Sequence, residues 1–316
     1  MKSLQGKIAV VAGATRGTGR GIALALGEAG ATVYCTGRST RANRPKKSPD
    51  KREPFDLANR PETIEETAEL VTAHGGKGVA VQVDHTVDEQ VKALFERVEK
   101  EQGRLDILVN DIWGGDELTE WKPFWEHSLE KGLLMLQRAV HSHIITGYYA
   151  APLLIKTKNG LIVEVTDGDH YGYRGTFYYD MVKTSVIRIA FSLATELKKY
   201  KITALAITPG FIRSEAMLDY FGVTEANWQD AVKKRPDFGQ SETPAYVGRS
   251  VVALATDKKL RKKNGRVFAA WDLGPEYGFT DVDGRQPNMR TWIEQNMKWK
   301  WKNCDEAFYE YWGLPK

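Results

Sequence analysis

Short apolar segments alternate with amphipathic helical patterns along most of the chain, and this alternation constrains the fold more than any other feature. The apolar runs are Ile8–Ala12, Thr32–Thr36, Gly78–Val83, Leu105–Asn110, Leu161–Thr166, Thr203–Ile207 and Arg266–Ala270. The helical patterns between them cover about residues 18–29, 62–74, 87–102, 126–156, 177–199 and 244–256. Strands that are apolar on both faces and alternate with helices predict an α/β fold, a doubly wound parallel seven-stranded sheet with helices on both faces.

The composition is that of a globular protein with little net charge. The chain has 316 residues, of which 42% are hydrophobic and 27% charged, and its formal charge is +4. No stretch approaches about eighteen uninterrupted apolar residues. The two cysteines, Cys35 and Cys304, match no metal or redox spacing. We therefore expect a soluble cytoplasmic protein with no signal peptide, membrane span or bound metal.

One segment, residues 38–52, departs from the even distribution of charge. Its one acidic residue is Asp50. Its basic residues are Arg38, Arg41, Arg44, Lys46, Lys47, Lys51 and Arg52. The segment has no aromatic residue for base stacking and no helical period. We therefore expect a solvated loop and no nucleic-acid partner.

A glycine turn follows the first predicted strand and opens the first predicted helix. It reads Gly13-Ala-Thr-Arg-Gly17-Thr-Gly19. Glycines at this spacing permit a tight turn, close approach of the backbone to a pyrophosphate and close packing of helix on strand. The turn therefore predicts a dinucleotide site. Its candidate cofactor-binding residues are Gly13, Thr15, Arg16, Gly17, Thr18 and Gly19.

The end of the second strand distinguishes between the two nicotinamide dinucleotides. An acid there would bind the 2′-hydroxyl of NAD(H), but the segment ends Thr36-Gly-Arg38-Ser39. Arg38, with Arg16 and Ser39, can instead bind a 2′-phosphate, so NADP(H) is favoured as the cofactor. The alternative is that Arg38 is an ordinary loop charge.

Two polar residues, Asp84 and His85, follow the third strand and are further candidates for cofactor binding. Asp84 sits where a carboxylate can accept a hydrogen bond from an adenine amino group. It can equally cap the helix that starts near Val87.

The only Tyr-x-x-x-Lys of the chain is Tyr179 with Lys183. Residues four apart share a helix face, so the ammonium can lie beneath the phenol and favour its ionised form. This predicts a proton donor tuned for neutral pH.

These motifs, in this order, resemble the short-chain dehydrogenase/reductase family over residues 4 to about 285, and several stretches are similar to its dehydrogenase/reductase member 1 branch. The resemblance implies a Rossmann-type fold and hydride transfer between NADP(H) and a small carbonyl or alcohol substrate. It implies that Tyr179 is the acid/base and that Lys183 binds the nicotinamide ribose and lowers the tyrosine pKa. The other residues that it implicates in cofactor binding are Asn110, Pro209, Gly210, Ile212 and Ser214.

The chain departs from the family pattern at the serine that orients the substrate. Strand register places Asp167 at that position, whereas counting back from Tyr179 gives Thr166. A threonine hydroxyl can donate a hydrogen bond, but an ionised aspartate only accepts and repels an oxyanion. Asp167 therefore suits a cationic or hydroxyl-bearing substrate, or a carbonyl only if it is protonated or turned away. Alternatively, it satisfies backbone amides in a turn.

A second departure lies on the long helix, where Gln137 is the nearest substitute for the family's relay asparagine. The two departures together motivate an alternative function, a catalytically impaired NADP(H)-binding sensor or interaction protein. The family also implies a homodimer or homotetramer, formed through the helices near 126–156 and 177–199.

No composition shift or internal repeat marks a second compact domain. We expect residues 1–270 to form the dinucleotide-binding and catalytic domain, with 211–241 as a substrate loop or lid. Residues 271–316 are expected to form a C-terminal extension that packs on this domain or on a neighbouring subunit. The tryptophans of the extension beyond Trp271 are Trp292, Trp299, Trp301 and Trp312.

Overall fold

The computed structural model describes residues 2–44, 55–56, 60–170, 172–297 and 302. Its centre is a seven-stranded parallel sheet in the order β3-β2-β1-β4-β5-β6-β7. The strands are β1 (Ile8–Ala12), β2 (Thr32–Gly37), β3 (Lys77–Gln82), β4 (Ile107–Asn110), β5 (Leu161–Val165), β6 (Thr203–Thr208) and β7 (Val267–Ala269). The predicted doubly wound α/β fold is confirmed.

Ten α-helices accompany the sheet in the described residues. They are α1 (Gly17–Glu28), α2 (Ile64–Ala73), α3 (Asp88–Gln102), α4 (Leu129–Leu136), α5 (Ser142–Thr157), α6 (Phe177–Leu197), α7 (Glu215–Phe221), α8 (Pro244–Thr256), α9 (Ala270–Tyr277) and α10 (Met289–Asn296). The six predicted helical patterns correspond to α1, α2, α3, α4 with α5, α6 and α8. The sequence patterns did not indicate α7, α9 or α10.

Apolar clusters cover both faces of the sheet, which is why the central strands lack alternation. All residues of β1, β4, β5 and β6 are buried. One cluster joins β1 to α1 and α8 through residues such as Val11, Leu26 and Val251. The other joins β1 to α3 and α5 through residues such as Val10 and Leu94. Each large aliphatic side chain that is fully buried in this way contributes about 1.5–3 kcal/mol to stability.

The strand order reverses at β1, which pairs with β2 on one side and β4 on the other. The connections after β1 and β4 leave the sheet toward opposite faces and open a crevice at the carboxyl ends of the strands. The glycine turn follows β1, and Asp111 follows β4. The fold therefore places these two segments side by side.

Residues 211–241 are a folded segment with an apolar cluster of their own, built around Trp228 and Phe238. The buried Arg213 fastens this segment to the C-terminal part of the chain. Its guanidinium forms ion pairs with Glu225 at 2.9 Å, Asp283 at 3.3 Å and Asp281 at 3.6 Å. This segment is thus anchored by a buried cation, and its role as a substrate loop stays a prediction.

The C-terminal extension also packs on the same chain as far as it is described. Arg290 of α10 forms ion pairs with Asp169 and Asp272, each at 2.8 Å. The division of the chain at residue 270 stays a prediction.

Several predictions concern residues outside the described part. They include those for Lys46, Lys47, Asp50, Lys51, Arg52, Trp299, Trp301, Cys304 and Trp312. Among the described helices, none combines the length and apolar character needed to cross a bilayer.

Candidate active site

A cleft of about 1140 Å³ opens at the carboxyl ends of the strands. Most of the predicted site residues line it, namely Gly13, Thr15, Arg16, Gly17, Thr18, Arg38, Ser39, Asp84, His85, Thr166, Asp167, Tyr179, Lys183, Pro209, Gly210, Ile212 and Ser214. Gly19, Asn110 and Gln137 do not line it; Gly19 and Asn110 are buried, and Gln137 is exposed.

The glycine turn has the backbone that its sequence predicts. Gly13 and Gly17 have φ values of +93° and +54°, which side chains rarely adopt. A Cβ on Gly13 would collide with the carbonyl of Asp111, and one on Gly19 would collide with the carbonyl of Gly13. Only glycine therefore permits this approach of α1 to β1 and β4.

An anionic oxygen already contacts the N-terminus of α1. The amide of Gly17 donates a hydrogen bond to the Glu215 carboxylate over 2.8 Å. Glu215 lies 198 residues further along the chain, so no local sequence signal indicates this contact. A phosphate oxygen would use the same donor, and the turn therefore fits the pyrophosphate of a dinucleotide.

Basic side chains gather where β2 ends. Arg16 donates to Glu62 at 3.1 Å and to Ser39 at 3.3 Å, which fixes its guanidinium beside the cleft. Arg38 is exposed and lines the cleft, as does Arg44, which sequence reasoning did not assign to the site. This arrangement suits a phosphate on the adenosine ribose.

Asp84 and His85 both line the cleft but differ in their surroundings. The Asp84 carboxylate accepts bonds from the amide and hydroxyl of Thr86, at 2.9 Å and 2.7 Å, so it closes a turn before α3. Its predicted use as the cap of α3 is wrong, because the N-cap is Val87. His85 is bonded to Thr36 and Thr146, and burial lowers its pKa to about 3.

Tyr179 and Lys183 face the cleft from the first turns of α6. The Tyr179 hydroxyl donates to the Asp167 carboxylate over 2.6 Å. The Lys183 ammonium lies 4.2 Å from the ring centre of Trp113 and 5.5 Å from that of Tyr179. The Trp113 ring in turn meets Tyr179 edge-on at 5.6 Å.

The prediction that the pair of Tyr179 and Lys183 tunes the tyrosine pKa to neutral pH is wrong for this arrangement. Burial raises the pKa of Tyr179 well above its usual value, and the charge and hydrogen bond of Asp167 raise it further. Burial also lowers the pKa of Lys183. Tyr179 is therefore held in its phenol form at neutral pH.

The two alternatives for the family serine position have different contacts. The Thr166 hydroxyl donates to the main-chain carbonyl of Lys183 over 2.7 Å. The Asp167 carboxylate instead accepts a hydrogen bond from the Tyr179 hydroxyl. Asp167, as strand register predicts, is thus the side chain that contacts the tyrosine hydroxyl.

Arg174 holds the loop that carries Asp167, a role that sequence reasoning missed. It forms an ion pair with Asp180 at 3.1 Å and donates to the carbonyls of Asp167, Gly168 and His170. These bonds connect the segment after β5 to α6. They restrict the position of the Asp167 carboxylate relative to Tyr179.

A buried polar chain supports the segment after β4. Asn110 donates to Glu164 at 2.8 Å, and Glu164 is bonded to His143 at 2.6 Å. The other ring nitrogen of His143 contacts the carbonyl of Ile112 at 3.0 Å. Asn110 therefore ties β4 to β5, and His143 supports the loop that leads to Trp113.

Asp111 sits where this loop meets the glycine turn. Burial raises its pKa to about 7, although Lys183 and His143 oppose the shift. Sequence reasoning assigned Asp111 no role in the site.

Gln137 does not reach Tyr179 or Lys183. It is exposed and begins a π-helical turn, Gln137–His141, that joins α4 to α5. The structure does not bring this residue into the site. The helix is nevertheless irregular at the position where the family pattern has its asparagine.

The connection after β6 lines a further part of the cleft. Pro209, Gly210 and Ile212 line it. The Gly210 amide donates to Glu242 at 3.0 Å, and burial raises the pKa of Glu242 to about 8. The Ser214 hydroxyl accepts from the amide of Met217 and caps α7.

Comparison with known proteins agrees with this geometry. The family model described as enoyl-(acyl carrier protein) reductase matches residues 56–266. Dehydrogenase/reductase SDR family member 1 of Mus musculus is 33% identical over 287 residues, covering 89% of this chain and 85% of the relative. The chain belongs to the short-chain dehydrogenase/reductase family.

Other relatives of this short-chain dehydrogenase/reductase have more specific names. The 7alpha-hydroxysteroid dehydrogenase of Clostridium sardiniense is 29% identical over 81% of this chain and 89% of its own length. Among solved structures, a short chain dehydrogenase of Mycobacterium thermoresistibile has a TM-score of 0.72 at 20% identity and covers 90% of this chain and 92% of its own. The latter similarity supports the fold alone.

Proposed function

We propose that this family member is an NADP(H)-dependent oxidoreductase that transfers a hydride between the nicotinamide and a carbonyl or alcohol carbon. The observation that carries the proposal is the placement of Tyr179 and Lys183 in the same cleft as the glycine turn and Arg38. The 2.6 Å bond between Tyr179 and Asp167 gives the tyrosine proton a defined position.

The chain's own residues would supply binding and proton transfer. The turn Gly13–Gly19 would hold the pyrophosphate, and Arg16, Arg38 and Ser39 would hold the 2′-phosphate. When bound, the nicotinamide supplies or accepts the hydride.

Proton transfer at the substrate oxygen is assigned to Tyr179. In reduction its phenol would donate a proton to that oxygen, and in oxidation the flow would reverse. Lys183 would bind the ribose of the nicotinamide. Asp167 would orient the hydroxyl, and Arg174 would hold Asp167 in place.

The proposed cofactor preference is testable at Arg38. Replacing Arg38 with alanine is expected to raise the NADPH dissociation constant about 10- to 100-fold, because a charge-assisted bond to the 2′-phosphate is lost. NADH affinity should hardly change, since NADH lacks that phosphate. Calorimetric titration measures both constants.

Arg41→Ala is the matched control for Arg38. Arg41 pairs with Glu69 at 2.6 Å and does not line the cleft. Arg41→Ala should leave the dissociation constants of NADPH and NADH unchanged. Equal losses of NADPH and NADH affinity in Arg38→Ala would contradict the assignment.

The proposal extends to a second copy of the chain as partner. Exposed apolar residues recur at helical spacing on α4 (Leu129 and Leu133) and on α5 (Ile144 and Tyr148). We expect sedimentation velocity to show a dimer or tetramer, and Tyr148→Glu to shift it toward the monomer. Tyr220→Glu, at an exposed tyrosine on α7 and outside these helices, is the control. A monomeric parent protein would refute this assembly.

A further inference from the structure

Tyr179 and Asp167 present two oxygens to the cleft. The phenol oxygen can donate a hydrogen bond, whereas the carboxylate oxygen can only accept one. The phenol donates its proton to one carboxylate oxygen of Asp167 over 2.6 Å. Asp167 is exposed and lines the cleft, and the described residues offer it no ion pair within 4 Å. A carboxylate accepts hydrogen bonds but cannot donate them, so it repels a developing oxyanion and attracts a donor or a cation.

The neighbouring cations are already engaged. The Arg174 guanidinium is bonded to Asp180, to Thr184 and to loop carbonyls. Lys183 lies over Trp113, and the proposed function assigns it to the cofactor. The charge of Lys183 acts on Asp167, but the described residues place no cation within ion-pair distance of the Asp167 carboxylate.

Two further acids, Asp116 and Glu117, line the same cleft. Asp116 accepts a hydrogen bond from the Trp113 indole at 2.8 Å. Glu117 also lines the cleft and is paired with Arg138 at 2.8 Å. Asp116 is thus a second carboxylate near Tyr179 for which the described residues show no ion pair within 4 Å, whereas Arg138 offsets the charge of Glu117.

Aromatic and apolar side chains form the remaining walls of the substrate end. Trp113 and Trp121 line the cleft, and 72% of the Trp121 side chain is exposed. Their ring faces attract cations. Phe211, Met217, Met289 and Ile293 add an apolar surface, in part from α10. The chamber therefore suits an organic cation with an apolar body.

We infer that the substrate carries an ammonium on the carbon next to the reacting carbonyl or alcohol, that is, an α-amino ketone or a vicinal amino alcohol. The two oxygens of the pair are 2.6 Å apart, a spacing similar to that of heteroatoms on adjacent carbons. Tyr179 would contact the substrate oxygen while Asp167 binds the ammonium. This inference rests on the proposed function.

The ammonium takes no part in bond making. In reduction, NADPH would supply the hydride for the new C–H bond as the carbonyl π bond breaks, and the carbonyl oxygen would take the Tyr179 proton. NADP⁺ and the amino alcohol are the products, and the tyrosinate recovers a proton from solvent. Charge neutralisation keeps Asp167 from opposing the oxyanion that develops on the carbonyl oxygen.

The test compares three ketones of similar size, α-aminoacetophenone, α-hydroxyacetophenone and propiophenone, by NADPH absorbance. We expect kcat/KM for the amino ketone to exceed that for either other ketone at least about tenfold. Asp167→Asn should abolish this preference, because the amide removes the charge. Glu117→Gln, which removes a nearby acid outside the pair, should retain it.

A binding measurement keeps the inference separate from the proposed function. In Tyr179→Phe loaded with NADP⁺, 2-amino-1-phenylethanol should bind at least about tenfold tighter than 1-phenyl-1-propanol, and Asp167→Asn should remove the difference. Equal binding would overturn the inference.

The turnover measurements also separate a failure of the inference from a failure of the proposed function. Reduction of propiophenone or the hydroxy ketone as fast as the amino ketone would overturn the inference and leave the proposed function standing. Bound NADPH with no ketone reduced would overturn the proposed function, and the binding comparison would then decide the inference.

Discussion

Replacing Tyr179 with phenylalanine is expected to lower kcat/KM about 1000-fold, because the reaction loses its proton donor and acceptor. The substitution removes one oxygen and leaves the ring that meets Trp113 at 5.6 Å. Steady-state NADPH consumption with an accepted ketone measures the loss. Calorimetry should find NADPH binding within about threefold of the parent protein, since catalysis and cofactor binding depend on different groups.

Tyr178→Phe is the matched control for this substitution. Tyr178 is the preceding tyrosine of α6, and it packs against Gly132 and beside His127, away from the cleft. It should keep nearly full activity. Undiminished turnover in Tyr179→Phe would remove Tyr179 from the mechanism.

The alternative function, a catalytically impaired NADP(H)-binding protein, predicts a different result for Tyr179→Phe. A sensor or interaction protein would bind NADPH, show no turnover in the parent chain, and be indifferent to the loss of the Tyr179 hydroxyl. Measurable reduction of any ketone by the parent protein would exclude it.

Replacing Arg213 with methionine is expected to lower the free energy of unfolding by about 3 kcal/mol, because the buried carboxylate of Asp281 loses its cation. Arg213 is also 4.3 Å from the ring centre of Trp228, so the apolar cluster of residues 211–241 loosens with it. Urea denaturation followed by fluorescence gives the free energy.

Arg235→Ala tests whether burial is the cause. Arg235 lies in the same segment and pairs with Asp237 at 2.6 Å, but about half of its side chain is exposed. Solvent screening limits such a pair to less than about 1 kcal/mol. Similar losses of unfolding free energy in Arg213→Met and Arg235→Ala would show that burial is not the cause.

The sheet and the main helices could be predicted because each element is one contiguous segment with a regular apolar pattern. β1 was predicted as Ile8–Ala12, and α8 as 244–256, with the bounds that the structure has. Apolar residues must cover both faces of a central parallel strand, so its pattern survives in the sequence. The short helices α7, α9 and α10 have too few turns for a clear period, and their stability comes from packing.

The site was predictable where its parts are motifs and not where they depend on distant contacts. The glycine turn and the pair of Tyr179 and Lys183 are each contained within one short segment. Glu215 meets the Gly17 amide only because α7 is folded over the turn. Arg174 likewise holds Asp167 only because the loop after β5 brings its carbonyls to the Arg174 guanidinium.

The sequence alone determined the order of strands and helices, the family, and the residue types available for cofactor binding and proton transfer, because spacing and apolar pattern are local properties of a chain. Only the tertiary structure decided that Asp167, and not Thr166, meets Tyr179. It also decided that the pKa of Tyr179 is raised. Burial and the proximity of Asp167 arise when β5 and α6 pack together, and both outweigh the effect of a lysine one turn away.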